Sequence, residues 1–185
     1  MQRDVNAKRN IFTIGHSTRS TESFIGLLRD NGVEALVDVR TIPRSRHNPQ
    51  YESDALKRNL RRSGIEYVWM KELGGLRRPR QDSENLGWRN ASFRGFADYM
   101  QTEDFDNALG KLIRVASEKP TCVMCAEAVP WRCHRSLIAD SLSVRGFDVL
   151  HIIGAGQPRQ HILTRFAVAR GGKVSYPQPE DEREI

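Results

Sequence analysis

TCVMC at residues 121–125, with AEAVPWRCHR directly after it at 126–135, is the stretch that decides the fold prediction. The first five residues indicate a buried strand, and the polar turn after them leads into a helical pattern over about 134–145. A second apolar run, DVLHII at 148–153, follows that helix. A strand, a helix and another strand in close succession are typical of a parallel β-α-β unit.

The same alternation continues outward toward both ends of the chain. Further strands are predicted at residues 11–15, 35–40 and 65–69. Further helices are predicted at residues 21–31, 53–62, 93–101, 105–117 and 160–169. Between them, residues 73–92 lack periodicity and are predicted to form a long loop.

This pattern predicts an α/β fold, a single compact domain with a mostly parallel central sheet of about five strands flanked by helices. The predicted boundaries are a flexible N-terminus at 1–9, the α/β domain at 10–172, and an acidic C-terminal tail at 173–185. A chain of 185 residues has the length of one ordinary domain.

Composition excludes several classes of protein. No apolar run approaches the roughly 20 residues that cross a bilayer, so no membrane association is expected. The first ten residues lack the apolar core of a secretory signal, which predicts a cytoplasmic protein. The three cysteines, Cys122, Cys125 and Cys133, lie within 12 residues of each other, unlike the framework of a disulfide-rich secreted domain.

The positive charge is concentrated in one part of the chain. The formal net charge is +6, and residues 40–94 alone carry a net +7. One interpretation is that this segment binds phosphate, because arginine recognises phosphate bidentately. The other interpretation is that codon usage in the genome favours arginine, in which case the charged segment is an ordinary solvated surface.

Polar and unusual residues follow the predicted strands. His16 and Ser17 follow the first strand, Arg40 the second, Gly74 and Gly75 the third, and Cys125 with Glu127 the fourth. In open parallel sheets, ligands bind beyond the carboxyl ends of the strands. The sequence therefore predicts that these residues share one cleft.

Four segments carry a resemblance to a known family. They are FTIGHS at 12–17, DVRTIPRSR at 38–46, LGG at 73–75 and CAEAVPWRCHR at 125–135. In this order they resemble the prokaryotic family called domain of unknown function 488, over about residues 10–155. The resemblance implies a compact α/β domain and brings no settled activity with it.

Arg132 and Arg135 lie near the start of the predicted helix after Cys125. A helix N-terminus carries a partial positive charge, so cations there suggest an anion held jointly by backbone amides and guanidinium groups. The alternative is that one arginine pairs with Glu127 or another acid and ties down the turn.

A metal site is the first of three chemistries open to the cysteines. Its ligands would be Cys125, Cys133 and His134, with His16 or His151 as a fourth. Cys122 would not take part, because residues three apart in a strand point to opposite faces. Cys133 and His134 are also expected to diverge, as neighbours on a helix do.

The second chemistry is nucleophilic catalysis by Cys125, whose position before a helix N-terminus and two arginines would lower its pKa. In the third, the cysteines only pack, and Glu127 acts as general acid or base with help from His16 or His134.

Together these features predict an enzyme, a hydrolase or transferase, that acts on a phosphorylated small molecule or a nucleic acid. The alternative is a non-catalytic nucleic-acid-binding module or a metal-binding, metal-sensing module. No cofactor follows from these residues. The predicted catalytic residues are Glu127, Cys125, His134 and His16. The predicted ligand-binding residues are Ser17, Arg40, Arg44, Arg46, Gly74, Gly75, Arg132 and Arg135.

Overall fold

The computed structural model describes residues 10–179 and shows strands and helices in the predicted alternation. The five main strands are β1 (Asn10–Gly15), β2 (Ala35–Asp38), β3 (Glu66–Trp69), β4 (Thr121–Cys125) and β5 (Asp148–Ile152). The helices are α1 (Thr21–Asp30), α2 (Ser53–Arg62), α3 (Ala91–Tyr99), α4 (Glu103–Glu118) and α5 (Arg135–Ser143). None of the helices within residues 10–179 is both long and apolar enough to cross a lipid bilayer.

Local sequence explains where several elements begin and end. Ser20 caps α1 by accepting a hydrogen bond from the backbone N–H of Ser23, and Thr102 caps α4 in the same way through Phe105. After α1, Gly32 adopts a φ of 64°, which only glycine takes without strain, and the chain turns toward β2.

The main sheet has the strand order β3-β2-β4-β1-β5-β6. Strands β1 to β5 pair in parallel, and the short β6 (Arg159–Gln160) adds an antiparallel edge. The central strands β1 and β4 are neighbours, with Gly15 opposite Cys125. The mostly parallel sheet and single α/β domain predicted from the sequence are confirmed.

Helices cover both faces of the sheet. Phe24 and Leu28 of α1 and Leu56 and Leu60 of α2 pack on the face that carries Cys122. Helices α3, α4 and α5 pack on the face that carries Cys125. The chain leaves β1 toward one face and β4 toward the other, which opens a crevice at the carboxyl ends of these neighbouring strands.

The C-terminal segment differs from the sequence prediction. Residues 160–169 do not form the predicted helix. They run from the end of β6 through an irregular segment into a hairpin of β7 (Val168–Arg170) and β8 (Lys173–Ser175). The hairpin turns at Gly171 and Gly172, both of positive φ. The buried carboxylate of Asp140 accepts hydrogen bonds from the Thr164 backbone N–H and hydroxyl, so tertiary contacts replace helical ones.

The packed part of the chain also extends past the boundary predicted at residue 172. Val174 and Tyr176 are fully buried in the core, so residues predicted as the beginning of a tail belong to the domain. The predicted flexible N-terminus at 1–9 and the acidic residues at 180–185 lie outside the described residues.

Candidate active site

A cleft of about 450 Å³ opens at the carboxyl ends of β1, β2 and β4. Its walls come from the loops that follow these three strands and from the long loop after β3. Nine of the predicted site residues line it: His16, Arg40, Arg44, Gly75, Cys125, Glu127, Arg132, Cys133 and His134. Segments far apart in the chain therefore meet where two neighbouring strands send the chain to opposite faces of the sheet.

The thiols of Cys125 and Cys133 and the imidazole of His134 form a cluster in this cleft. Their sulfur and nitrogen atoms all lie within 4.8 Å of one another. The Nδ1 atom of His134 is 4.0 Å from the sulfur of Cys125 and 3.7 Å from that of Cys133.

The expected divergence of Cys133 and His134 on a helix is wrong. Cys133 has extended dihedrals (φ −139°, ψ 142°), and helical dihedrals begin only at His134 (φ −56°, ψ −16°). The bend between the two residues directs both side chains toward Cys125. In contrast, Cys122 packs on the other face of the sheet, as its spacing from Cys125 predicts.

The ring of His134 is held by the LGG segment of the long loop. Its Nε2 atom lies 3.0 Å from the carbonyl oxygen of Leu73. This oxygen can only accept, so Nε2 carries the proton and Nδ1 presents a lone pair to the two thiols. Gly75 packs against the ring, where a Cβ would come within 2.4 Å of Nδ1, and Phe96 contacts the ring edge-on.

The two clustered thiols differ in acidity. The S–H of Cys133 donates to Cys125, which holds the pKa of the Cys125 thiol well below its usual range, and the positive charge of Arg135 adds to this effect. The same hydrogen bond raises the pKa of Cys133. Burial in the opposite core raises the pKa of Cys122. Of the two clustered thiols, Cys125 is therefore the more acidic.

Arg40 is fixed by Asp38, the last residue of β2. Its Nε atom donates to both carboxylate oxygens of Asp38, at 2.9 and 3.1 Å, and its Nη2 atom donates to Oδ2 at 2.6 Å. Nη2 also donates to the carbonyl of Tyr51, and the hydroxyl of Tyr67 donates to Asp38. The remaining Nη1 lies 3.3 Å from Nε2 of His16, so one donor edge of Arg40 faces the cleft.

His16 is a neutral imidazole beside Arg40. Its Nδ1 donates to the carbonyl oxygen of Ser17 at 2.8 Å, which leaves Nε2 as the acceptor facing Arg40. The ring stacks on Tyr51, with centroids 4.1 Å apart, and burial lowers the pKa of His16. Ser17 has a left-handed φ of 51° and does not line the cleft. It orients His16 instead.

Arg135 lies beneath the cleft and does not line it. Its side chain is 1% exposed and donates to the carbonyl oxygens of Glu127, at 2.5 Å, and Ala128, at 3.0 Å. A side chain buried to this degree does not fit the predicted role as an anion anchor. The geometry matches the alternative, in which Arg135 stabilises the turn after β4. Its partners are carbonyl groups, although the sequence suggested an acid.

Two further predicted ligand-binding residues also lie off the cleft. Gly74 packs against Thr41, where a Cβ would come within 2.3 Å of the threonine hydroxyl oxygen. Arg46 is exposed on the loop after β2. The glycine pair therefore supports the loop and His134.

The rim of the cleft combines charged and apolar side chains. Arg44, Glu127 and Arg132 are exposed, and their side chains have no ion-pair or hydrogen-bond partner within residues 10–179. Ile42 and Leu76 line the same cleft and are 60% and 69% exposed. A ligand with both an anionic and an apolar part would complement this rim.

His151, considered as a fourth metal ligand, belongs to a different polar network. Its Nδ1 atom is 2.7 Å from the hydroxyl of Thr13, and its Nε2 atom is 2.9 Å from Nδ1 of His161. Nε2 of His161 lies 2.7 Å from Asp140. Sequence reasoning missed Asp140 and His161, although an acid within the apolar helix segment LIADSL was a signal for the first.

One comparison with known proteins identifies the family of this chain. A family model described as "Domain of unknown function DUF488" matches residues 20–142. The chain belongs to this family. The DUF488 match contains the whole 125–135 motif and the loop glycines and ends before β5, so the resemblance noted from the sequence is confirmed. No curated protein and no solved structure matches the chain.

Proposed function

We propose that the cleft is the active site of an enzyme that acts on a phosphorylated ligand of the nucleotide class. The observation that carries this proposal is a pair of guanidinium groups, on Arg44 and Arg132, that lack a partner among residues 10–179 and share a cleft with a cluster of thiols and imidazole. Arginine binds phosphate through paired, charge-assisted hydrogen bonds. Arg40, already fixed by Asp38, offers a further donor without having to be ordered by the ligand.

The apolar part of the rim supports a ligand that is larger than inorganic phosphate. Ile42, Leu76 and Phe93 offer apolar surface in the same cleft as the two arginines. The volume of about 450 Å³ lies within the range of roughly 300–1,000 Å³ that small-molecule sites have. A nucleoside phosphate combines a flat base with an anionic group and fits both features.

Glu127 is the group best placed for proton transfer. It lines the cleft next to the cluster, and no cation within the described residues neutralises it. A carboxylate in this position accepts a proton from an attacking water or hydroxyl and returns it to the leaving group. Hydrolysis or group transfer at phosphorus or carbon is the class of reaction that these groups support.

The test is turnover of a panel of nucleotides and nucleoside monophosphates by the full chain. Glu127→Gln should lower kcat by about 100- to 10,000-fold, since general acid–base catalysis contributes that much. Arg44→Ala and Arg132→Ala should each raise KM by about tenfold or more, because each removes a hydrogen bond to a charged group. Arg58→Ala, an exposed arginine on α2 outside the cleft, is the matched control and should change neither constant.

Two results would contradict the proposal. Binding of a nucleotide without any turnover would show the rival function, a non-catalytic binding module. Turnover that is unaffected in the Arg44 and Arg132 variants would place the reaction elsewhere on the molecule.

A further inference from the structure

The donor atoms of Cys125, Cys133 and His134 are spaced like the ligands of a tetrahedral metal ion. A zinc ion with bonds of about 2.3 Å to sulfur and about 2.0 Å to nitrogen places those two atoms about 3.5 Å apart. In this structure the Nδ1 atom of His134 lies 4.0 Å from the sulfur of Cys125 and 3.7 Å from the sulfur of Cys133. Small side-chain rotations would therefore close the cluster around an ion.

The orientation of His134 supports the same interpretation. A metal-binding histidine usually donates its other ring N–H to a carbonyl or carboxylate, which fixes the tautomer and the ring plane. Here Nε2 donates to the carbonyl of Leu73, so the lone pair of Nδ1 points at the two sulfurs. Gly75 leaves the ring the space it needs in this position.

Packing alone does not account for this arrangement. A cysteine that only fills space needs no imidazole lone pair aimed at it, and the two thiols are not joined as a disulfide. Two thiolates and one imidazole form a soft donor set that suits zinc. Within residues 10–179 this is also the one group of three potential metal-ligating side chains whose donor atoms all lie within 4.8 Å of one another.

We infer that Cys125, Cys133 and His134 bind a zinc ion whose fourth coordination position faces the cleft. Three protein ligands with one open position are typical of catalytic rather than structural zinc, because water or substrate takes the fourth place. Glu127 and His16 line the same cleft. Catalytic use of the metal rests on the function proposed above, whereas zinc binding itself does not.

Zinc stoichiometry tests the inference without any substrate. Reduced, metal-stripped full-length protein is reconstituted with zinc, freed of excess metal and analysed for zinc and protein. Wild type should retain one zinc per chain, and Cys125→Ser, Cys133→Ser and His134→Gln should retain almost none. Cys122→Ser is the matched control, since its thiol packs on the opposite face of the sheet, and should retain one.

Two further measurements keep the result interpretable if a ligand variant folds poorly. Replacing zinc with cobalt in wild type should produce the thiolate-to-cobalt charge-transfer absorption that a site without cysteine lacks. Gly75→Ala, which crowds the ring of His134 without removing a ligand, should weaken zinc binding by about 10- to 100-fold in competition with a chelator, as for other changes around a ligating histidine. Circular dichroism of each variant reports folding.

The inference is overturned if reduced wild type retains no zinc, or if folded Cys125→Ser and Cys133→Ser retain as much zinc as wild type. These failures are separable from failure of the proposed enzyme. Zinc bound without turnover would refute the enzyme and leave the metal site. Turnover by a wild-type protein that retains no zinc after reconstitution would refute the metal site and leave the enzyme.

Discussion

Gly15 shows how a single residue positions the site. It ends β1 directly against the turn after β4, and a Cβ at this position would lie 1.7 Å from the carbonyl oxygen of Glu127. The same carbonyl accepts from the buried guanidinium of Arg135. The absence of a side chain at Gly15 therefore lets the backbone of the turn after β4 approach β1, where Arg135 holds it.

Replacing Gly15 with alanine should destabilise the fold, because backbone rather than a flexible side chain must give way. The expected loss is about 1–3 kcal/mol, typical of overpacking in a well-packed site. Gly26→Ala is the control: Gly26 lies within α1 with nothing within 4 Å of an added Cβ, so alanine should stabilise by about 0.5–1 kcal/mol. Urea denaturation measures the change in unfolding free energy for both variants. Equal changes would contradict the explanation that an added Cβ at Gly15 clashes with backbone.

At the scale of elements, one buried polar network joins β5, α5 and the C-terminal segment. Asp140 of α5 accepts hydrogen bonds from His161, Thr164 and, at 2.8 Å, the hydroxyl of Tyr176. His161 in turn contacts His151 of β5. This network holds the irregular residues 161–167 against α5 and β5, and the contacts explain why no helix forms there.

His151 should make stability depend on pH. Burial lowers the pKa of His151 to about 4, and the neighbouring His161 and Arg135 add to this effect. In the unfolded chain the same group titrates near its ordinary pKa of about 6.5. Between these values the unfolded state binds more protons, so stability should fall as the pH drops from 6.5 to 4, by up to about 3 kcal/mol.

Urea denaturation of wild type and His151→Gln at a series of pH values checks this contribution. The variant lacks the titrating group, so the gap in unfolding free energy between it and wild type should narrow by about 2–3 kcal/mol from pH 7 to pH 4.5. If the unfolding free energies of the two proteins change with pH in parallel, His151 does not bind a proton when the chain unfolds.

At the scale of the whole molecule, the structure divides the basic segment into engaged and available arginines. Arg77 stacks over the ring of Tyr99 at 3.7 Å and donates to the carbonyl of Glu72. Arg80 pairs with Asp82 at 2.7 Å. In the same segment Arg44, Arg46 and Arg78 are exposed and have no ion-pair or side-chain hydrogen-bond partner within residues 10–179. Arg44 lines the cleft together with Arg132, which lies outside the segment. Because Arg44 and Arg132 line one cleft and Arg46 and Arg78 do not, we expect a compact phosphorylated ligand rather than a strand that runs along the loop.

The salt dependence of single-stranded oligonucleotide binding tests that distinction. Each neutralised phosphate contributes about 0.7 to the slope of log affinity against log salt concentration, so Arg44 and Arg132 together should give a slope of about 1.4 in magnitude. Replacing both with alanine should abolish the slope, whereas Arg80→Ala should leave it unchanged. Fluorescence anisotropy measures the affinities. A slope above about 3 would mean that the loop arginines track a strand after all.

Much of the architecture follows from local pattern. The runs IFTIG, ALVD and TCVMC are short and apolar, and hydrophobic period and capping residues act within a few positions, so the strands and most helices are predictable. The prediction that residues after different strands share a cleft also follows, because parallel strands bring their carboxyl ends to one edge.

Other properties depend on contacts between distant residues. The tautomer of His134 depends on the carbonyl of Leu73, and Arg135 is buried because the backbone of the turn after β4 surrounds it. Residues 160–169 carry a helical pattern, yet Asp140 binds Thr164 and His161 in another conformation. A local pattern reports the average burial and period of a segment. The hydrogen-bond partners of a buried polar group lie elsewhere in the chain, and only folding brings them together.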